Sequence, residues 1–157
     1  MALAPIEYAT LAETSIKTLA RFDFAAWETM LADNIKYQFP DGDQNTRTKL
    51  IGKAKVLAWW KNYQTTSGVK AMTMSEFNNM PIEVTGDAKG GATKGFYVIS
   101  YFTNTQVIKE KSIGVRMNFA THFNDNKKID CYTTYYDRMP FIKAIGQNLL
   151  EKAKASH

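Results

Sequence analysis

The strongest constraint in this chain is a change of hydrophobic period near residue 68. Before it, apart from a short alternating stretch at 35–39, apolar residues recur at three- and four-residue spacing, the repeat of a helix face. After it come four long runs rich in β-branched and aromatic residues, over 70–85, 93–107, 109–123 and 127–137. Turn-forming stretches such as GDAKGG (86–91) separate them. Helices first and antiparallel strands afterwards define an α+β protein, with the helices gathered on one face of the sheet. Strands this long must twist and bend. The expectation is a strongly curved antiparallel sheet wrapped around N-terminal helices, a cone with an internal pocket.

Pro5 suits a first helical turn, and Tyr8, Leu11, Ser15, Leu19 and Phe22 then predict a helix over 5–21. Asp23 can cap a second helix, with Phe22 and Trp27 placed as a hydrophobic staple and Phe24, Trp27 and Leu31 as its buried face. Ile35, Tyr37 and Phe39 alternate with Lys36 and Gln38, a short strand stopped by Pro40 and followed by the PDGDQN loop. Val56, Trp59, Trp60 and Tyr63 predict a helix over 52–66, with Gly68 just beyond it. Pro140 opens an extra C-terminal amphipathic helix carrying Phe141, Ile142, Ile145 and Leu149.

A length of 157 residues with 45% apolar content fits one domain over 1–157, its core about 5–138 and its C-terminal helix and tail 139–157. The single cysteine suits a reducing compartment, and neither a secretory signal nor a run of about 18 apolar residues is visible. A soluble cytoplasmic protein without a membrane role is expected. The formal charge is +5, but Arg21, Arg47, Arg116 and Arg138 are the only arginines among the 20 basic residues, and the lysines are dispersed. That pattern reads as a solvated surface and not as a nucleic-acid interface.

The order of elements, with Asp23, Trp27, Asp33, Tyr37 and Pro40 in the first half and Lys128, Ile129, Tyr135, Tyr136 and Asp137 in the last hairpin, resembles the nuclear transport factor 2-like superfamily, and within it the SnoaL-like branch. The resemblance covers about residues 5–138 and implies a conical pocket and a dimer. It does not imply one chemistry, since ketosteroid isomerase, polyketide cyclases and limonene epoxide hydrolase all share the fold.

The chemistry implied by each relative must be read residue by residue. The ketosteroid isomerase positions for tyrosine, base and second acid fall on Ser15, Phe39 and Phe119, and phenylalanine can neither take nor give a proton. The last-strand acid of the epoxide hydrolase falls on Thr134, and the strand FYVISYFTN (96–104) has neither arginine nor acid. The acid–base residue of SnoaL-type cyclases leaves His122 as candidate. Alternation turns it away from the hollow if Phe119 and Thr121 face inward. His122, Asp125, Asp130 and Cys131 lack metal-ligand spacing, with Asp130 and Cys131 expected on opposite faces of one strand, so no metal and no cofactor is called for. No catalytic residue is assigned.

Alternation and family position together give the expected pocket: Ser15, Tyr37, Phe39, Trp59, Trp60, Tyr63, Phe119, Thr121, Tyr132, Thr134 and Tyr136. Core packing is the better reading for at least one of Trp59 and Trp60, because adjacent helical residues do not share a face. Apolar walls with scattered hydroxyls fit a small apolar or aromatic ligand. Two alternatives stand beside that reading. One is a lyase, isomerase or hydrolase using pocket hydroxyls or Asp41 or Asp43. The other is an interaction module that dimerises through the convex sheet face (Arg116, Asn118, Ala120, His122, Tyr135). In the last hairpin, a two-residue turn at Asp125-Asn126 is expected, which sets His122 opposite Ile129 and Phe119 beside Tyr132.

Overall fold

A computed structural model describes residues 2–86 and 92–151. The helices are α1 (Ile6–Ala20), α2 (Phe24–Glu28), α3 (Lys53–Thr66) and α4 (Met139–Ile145). The strands are β1 (Ala2–Leu3), β2 (Leu31–Gln38), β3 (Lys49–Ile51), β4 (Val69–Val84), β5 (Gly95–Ile108), β6 (Lys111–Phe123) and β7 (Ile129–Tyr135). They form one seven-stranded sheet in the order β1-β4-β5-β6-β7-β2-β3, in which only β2 and β7 run parallel. The two shortest strands, β1 and β3, carry no readable sequence period. The GDAKGG turn lies mostly outside the described residues, as does the Lys/Ala tail.

Burial alternates along β5 and β6, so Val98, Phe102, Val115, Met117, Phe119 and Phe123 share the inner face with α1 and α3. Tyr8 of α1 stacks on Phe96 (4.5 Å) and meets Phe123 edge-on (5.1 Å), fixing the helix across the middle strands. An irregularity between Ser75 and Asn78 of β4 bends the sheet, with Glu76 at φ 57° and the Phe77 ring stacked on Phe102 at 5.0 Å.

Several local expectations are corrected. Leu11 stays exposed on α1, and Ala12 and Ile16 take the buried face because the concave sheet presses against that side. Asp23 does cap α2, accepting from the Ala26 amide (3.2 Å), but the helix ends at Glu28 and Leu31 already begins β2. Phe22 meets Phe24 (6.1 Å), while Trp27 turns inward to Tyr132 (6.2 Å). The final helix stops at Ile145 because Gly146 takes a left-handed cap (φ 87°), so Leu149 belongs to a separate helical turn.

The hairpin between β6 and β7 also departs from expectation. Asn124 and Lys128 close a three-residue turn, Lys127 takes φ 58°, and the Asn124 side chain accepts the Asn126 and Lys128 amides. Phe123 therefore pairs with Ile129, and a bulge at Asp130 sets His122 opposite Cys131. Phe119 pairs with Thr134 and meets Tyr132 diagonally, at 6.0 Å.

Candidate functional site

The open end of the cone holds a cavity of about 50 Å³ walled by α3, the inner face of β4–β6, residues 37–39, and the C-terminal segment from Tyr136 to Leu150. Of the expected pocket residues, Tyr37, Phe39, Trp59, Trp60, Tyr63, Phe119 and Tyr136 line it. All but Tyr136, whose ring meets Phe141, form a continuous set of edge-to-face, tilted and stacked contacts, including Tyr37–Phe39 (4.9 Å), Phe39–Trp59 (4.6 Å), Trp59–Trp60 (4.9 Å) and Trp60–Tyr63 (5.3 Å). Trp60 is buried and Trp59 only half-buried, as adjacency on a helix requires, yet both reach the cavity, one from its floor and one from its rim.

Ser15, Thr121, Tyr132 and Thr134 sit in the packed interior beyond this wall. Tyr132 donates to Ser15 Oγ (2.8 Å) and accepts from Trp27 Nε1 (3.3 Å), Ser15 donates to the Ala12 carbonyl (2.8 Å), and Thr134 donates to the Gln38 carbonyl (2.7 Å). These hydroxyls join α1, α2, β2 and β7 below the cavity.

The sequence reading missed Leu19, Met72, Met74, Asn104, Gln106, Met117 and Arg138, and the whole C-terminal wall formed by Phe141, Ile142, Ile145, Gln147, Leu149 and Leu150. Asn104 and Gln106 had a signal, because two amides at period two continue the inward row of Val98, Ser100 and Phe102 on β5. Lys109 holds the C-terminal wall in place by donating to the Ile145 carbonyl (2.6 Å), and Arg138 donates to Asn148 Oδ1.

Burial dominates the electrostatics. It holds the Tyr37 and Tyr63 phenols well above their ordinary range, and it pushes Tyr132 up to about 12. Part of Tyr136 reaches the surface, but burial is again the largest influence and raises it to about 12. None of these phenols is a base at neutral pH. Asp41 is buried and accepts from the Thr48 amide (2.8 Å) and hydroxyl (2.6 Å), and exposed Asp43 accepts from the Asn45 and Thr46 amides. Neither carboxylate is among the cavity's lining residues.

His122 faces the opposite side of the sheet. Its Nδ1 meets Asp130 Oδ1 at 2.5 Å and its Nε2 lies 3.0 Å from the Lys94 carbonyl. The bulge brings Asp130 to the same outer cleft as Cys131, correcting the expectation that they point apart. Among the described residues, no group of three or more His, Cys, Asp or Glu side chains is placed to hold a metal.

No protein-family model matches the chain, and no curated protein matches its sequence. Solved structures do match it in shape. A polyketide cyclase by provisional assignment, from Xanthomonas campestris pv. campestris, superposes with a TM-score of 0.65 at 15% identity over 88% of this chain and 97% of its own. An NTF2-like protein from Anabaena variabilis gives 0.61 at 16% identity over 87% and 94%. A hypothetical protein with a ketosteroid isomerase-like fold from Catenulispora acidiphila, in complex with trimethylamine, gives 0.58 at 13% identity over 88% and 93%. The chain has the nuclear transport factor 2-like fold. Among the described residues, no helix is long and apolar enough to cross a membrane.

Proposed function

We propose that the protein binds a small apolar or aromatic molecule inside the cone. The observation that carries this reading is the aromatic cavity between α3, the sheet and the C-terminal segment. A binding protein needs apolar walls and a few polar groups to orient the guest, and the lining supplies both. The volume, about 50 Å³, is small beside the roughly 150 Å³ of an apolar cavity that holds benzene. A ring-sized guest therefore needs the lining to give way, and the C-terminal wall, tied to the sheet through Lys109, is the part that moves in this proposal. The Catenulispora protein, which carries trimethylamine, supports ligand binding on this scaffold.

The lyase, isomerase or hydrolase reading has weaker support, because no carboxylate or histidine is among the described cavity residues. Dimerisation through the convex sheet face accompanies the binding role. Exposed Tyr101 and Tyr135 flank Asn118 in one cross-strand row there, with Met80 exposed nearby. The free Cys131 suits a reducing, cytoplasmic setting.

A panel of neutral cyclic molecules, screened by thermal shift, tests the binding role. Stabilisation that rises with ligand concentration and disappears in Phe119→Trp, which fills the cavity, is expected. A panel with no stabilising member, or equal stabilisation of the filled variant, contradicts it.

A further inference from the structure

The buried polar atoms of the cavity divide into those in use and those left over. Tyr63 donates its hydroxyl to Gln106 Oε1, Gln106 Nε2 donates to Asn104 Oδ1 (2.8 Å), and Asn104 Nδ2 donates to the Thr73 carbonyl (3.3 Å). That chain leaves α3, crosses β5 and ends on the backbone of β4. The Tyr37 hydroxyl and the Trp60 indole N–H, by contrast, have no partner in the protein. Tyr37 is fully buried and Trp60 is 6% exposed, so bulk water does not serve them. Both side chains line the same cavity, and their rings meet at 5.9 Å.

An unmade buried hydrogen bond carries the full cost of desolvating the group, and native structures leave few. The third orphan, Thr121 Oγ1, is not a cavity residue, so the two that remain belong to residues lining one cavity. An indole N–H can only donate, and the Tyr37 phenol, protonated in the buried site, donates as well as accepts. A single acceptor therefore serves both groups, whereas a donor serves Tyr37 alone. Asp, Glu and Lys are absent from the described lining, and Arg138, its one cation, gives an N–H to Asn148.

Building on the cavity's role as a ligand site, we infer that its guest is a neutral, largely apolar molecule with one oxygen acceptor, a ketone, ester or ether, held jointly by Tyr37 and Trp60. A hydrocarbon leaves both donors unmet. A carboxylate is drawn to Arg138, the one cation in the described lining, and pays the full cost of desolvating its charge to reach the two uncharged donors Tyr37 and Trp60.

Cyclohexanone and methylenecyclohexane have the same shape and differ in that single acceptor; cyclohexanecarboxylate adds the charge. Their affinities for the wild-type protein, Tyr37→Phe and Trp60→Phe are compared by calorimetry. Cyclohexanone is expected to bind the wild type about tenfold more tightly than the alkene, with each variant closing part of that gap. In the wild type, the Trp60 indole proton resonance moves downfield with the ketone and not with the alkene, a readout that needs no variant to fold. Equal binding of ketone and alkene overturns the inference while leaving apolar binding intact, and so does tighter binding of the carboxylate. Binding of none of the three removes both the inference and the reading beneath it.

Discussion

Tyr37 and Trp60 meet edge to face at 5.9 Å and 67°, and neither polar atom of the pair is hydrogen-bonded within the protein. Removing the Tyr37 hydroxyl should therefore cost the empty protein nothing. Tyr37→Phe is expected to raise unfolding stability by up to about 1 kcal/mol, read as a higher denaturant midpoint at unchanged m-value. A loss of that size would mean the hydroxyl has a partner in solution.

The buried phenols make the fold alkali-sensitive. Tyr132 and Tyr136 titrate near 10 when unfolded and at about 12 when folded, so between these values the unfolded chain has released protons that the native one keeps. Stability is thus fully present below pH 10 and falls as pH rises toward 12. For buried Tyr132 alone the span is worth on the order of 3 kcal/mol. Absorbance at 295 nm followed against pH should show a group of tyrosines ionising only together with unfolding. Smooth titration of all eight near pH 10 in a folded protein would contradict this.

Lys109 is the fastening of the C-terminal wall. Lys109→Met removes its 2.6 Å bond to the Ile145 carbonyl, at the C-terminal end of α4, and is expected to cost about 1 kcal/mol. Faster amide exchange confined to α4, and faster ligand release, are the expected signatures. Unchanged exchange there would place the fastening elsewhere.

On the outer face, Gly95 makes room for His122. It sits at φ 127°, and a Cβ there would lie 2.9 Å from His122 Nε2. Gly95→Ala is expected to destabilise by roughly 1–3 kcal/mol, part of it backbone strain. In a double-mutant cycle, His122→Ala should recover the contact part only. Full additivity of the two changes would show that the glycine is needed for its backbone alone.

The long periodic elements were legible because each carries its own repeat. Tyr8, Ser15 and Leu19 mark α1, and Ile35, Tyr37 and Phe39 alternate inward at the cost of one residue's difference in where the strand ends. The expected aromatic lining rested on that alternation together with helical spacing in 52–66 and family position. What stayed hidden depends on distant partners. Parallel pairing of β2 with β7 has no local mark, and the Asp130 bulge follows from a three-residue turn that Asn124 stabilises through its side chain. The C-terminal wall was read as an added helix, since nothing in Phe141 or Ile145 says which surface they cover.

The proposed apolar guest occupies this cavity and not the exposed sheet face. Methyl-labelled methionine reports on both places at once: Met72, Met74 and Met117 line the cavity, whereas Met80 is exposed on the sheet. Titration with cyclohexanone, followed by NMR, is expected to shift the first three resonances along one saturable curve and leave Met80 in place. A shift at Met80 alone, or none at any of the four, is the opposite result.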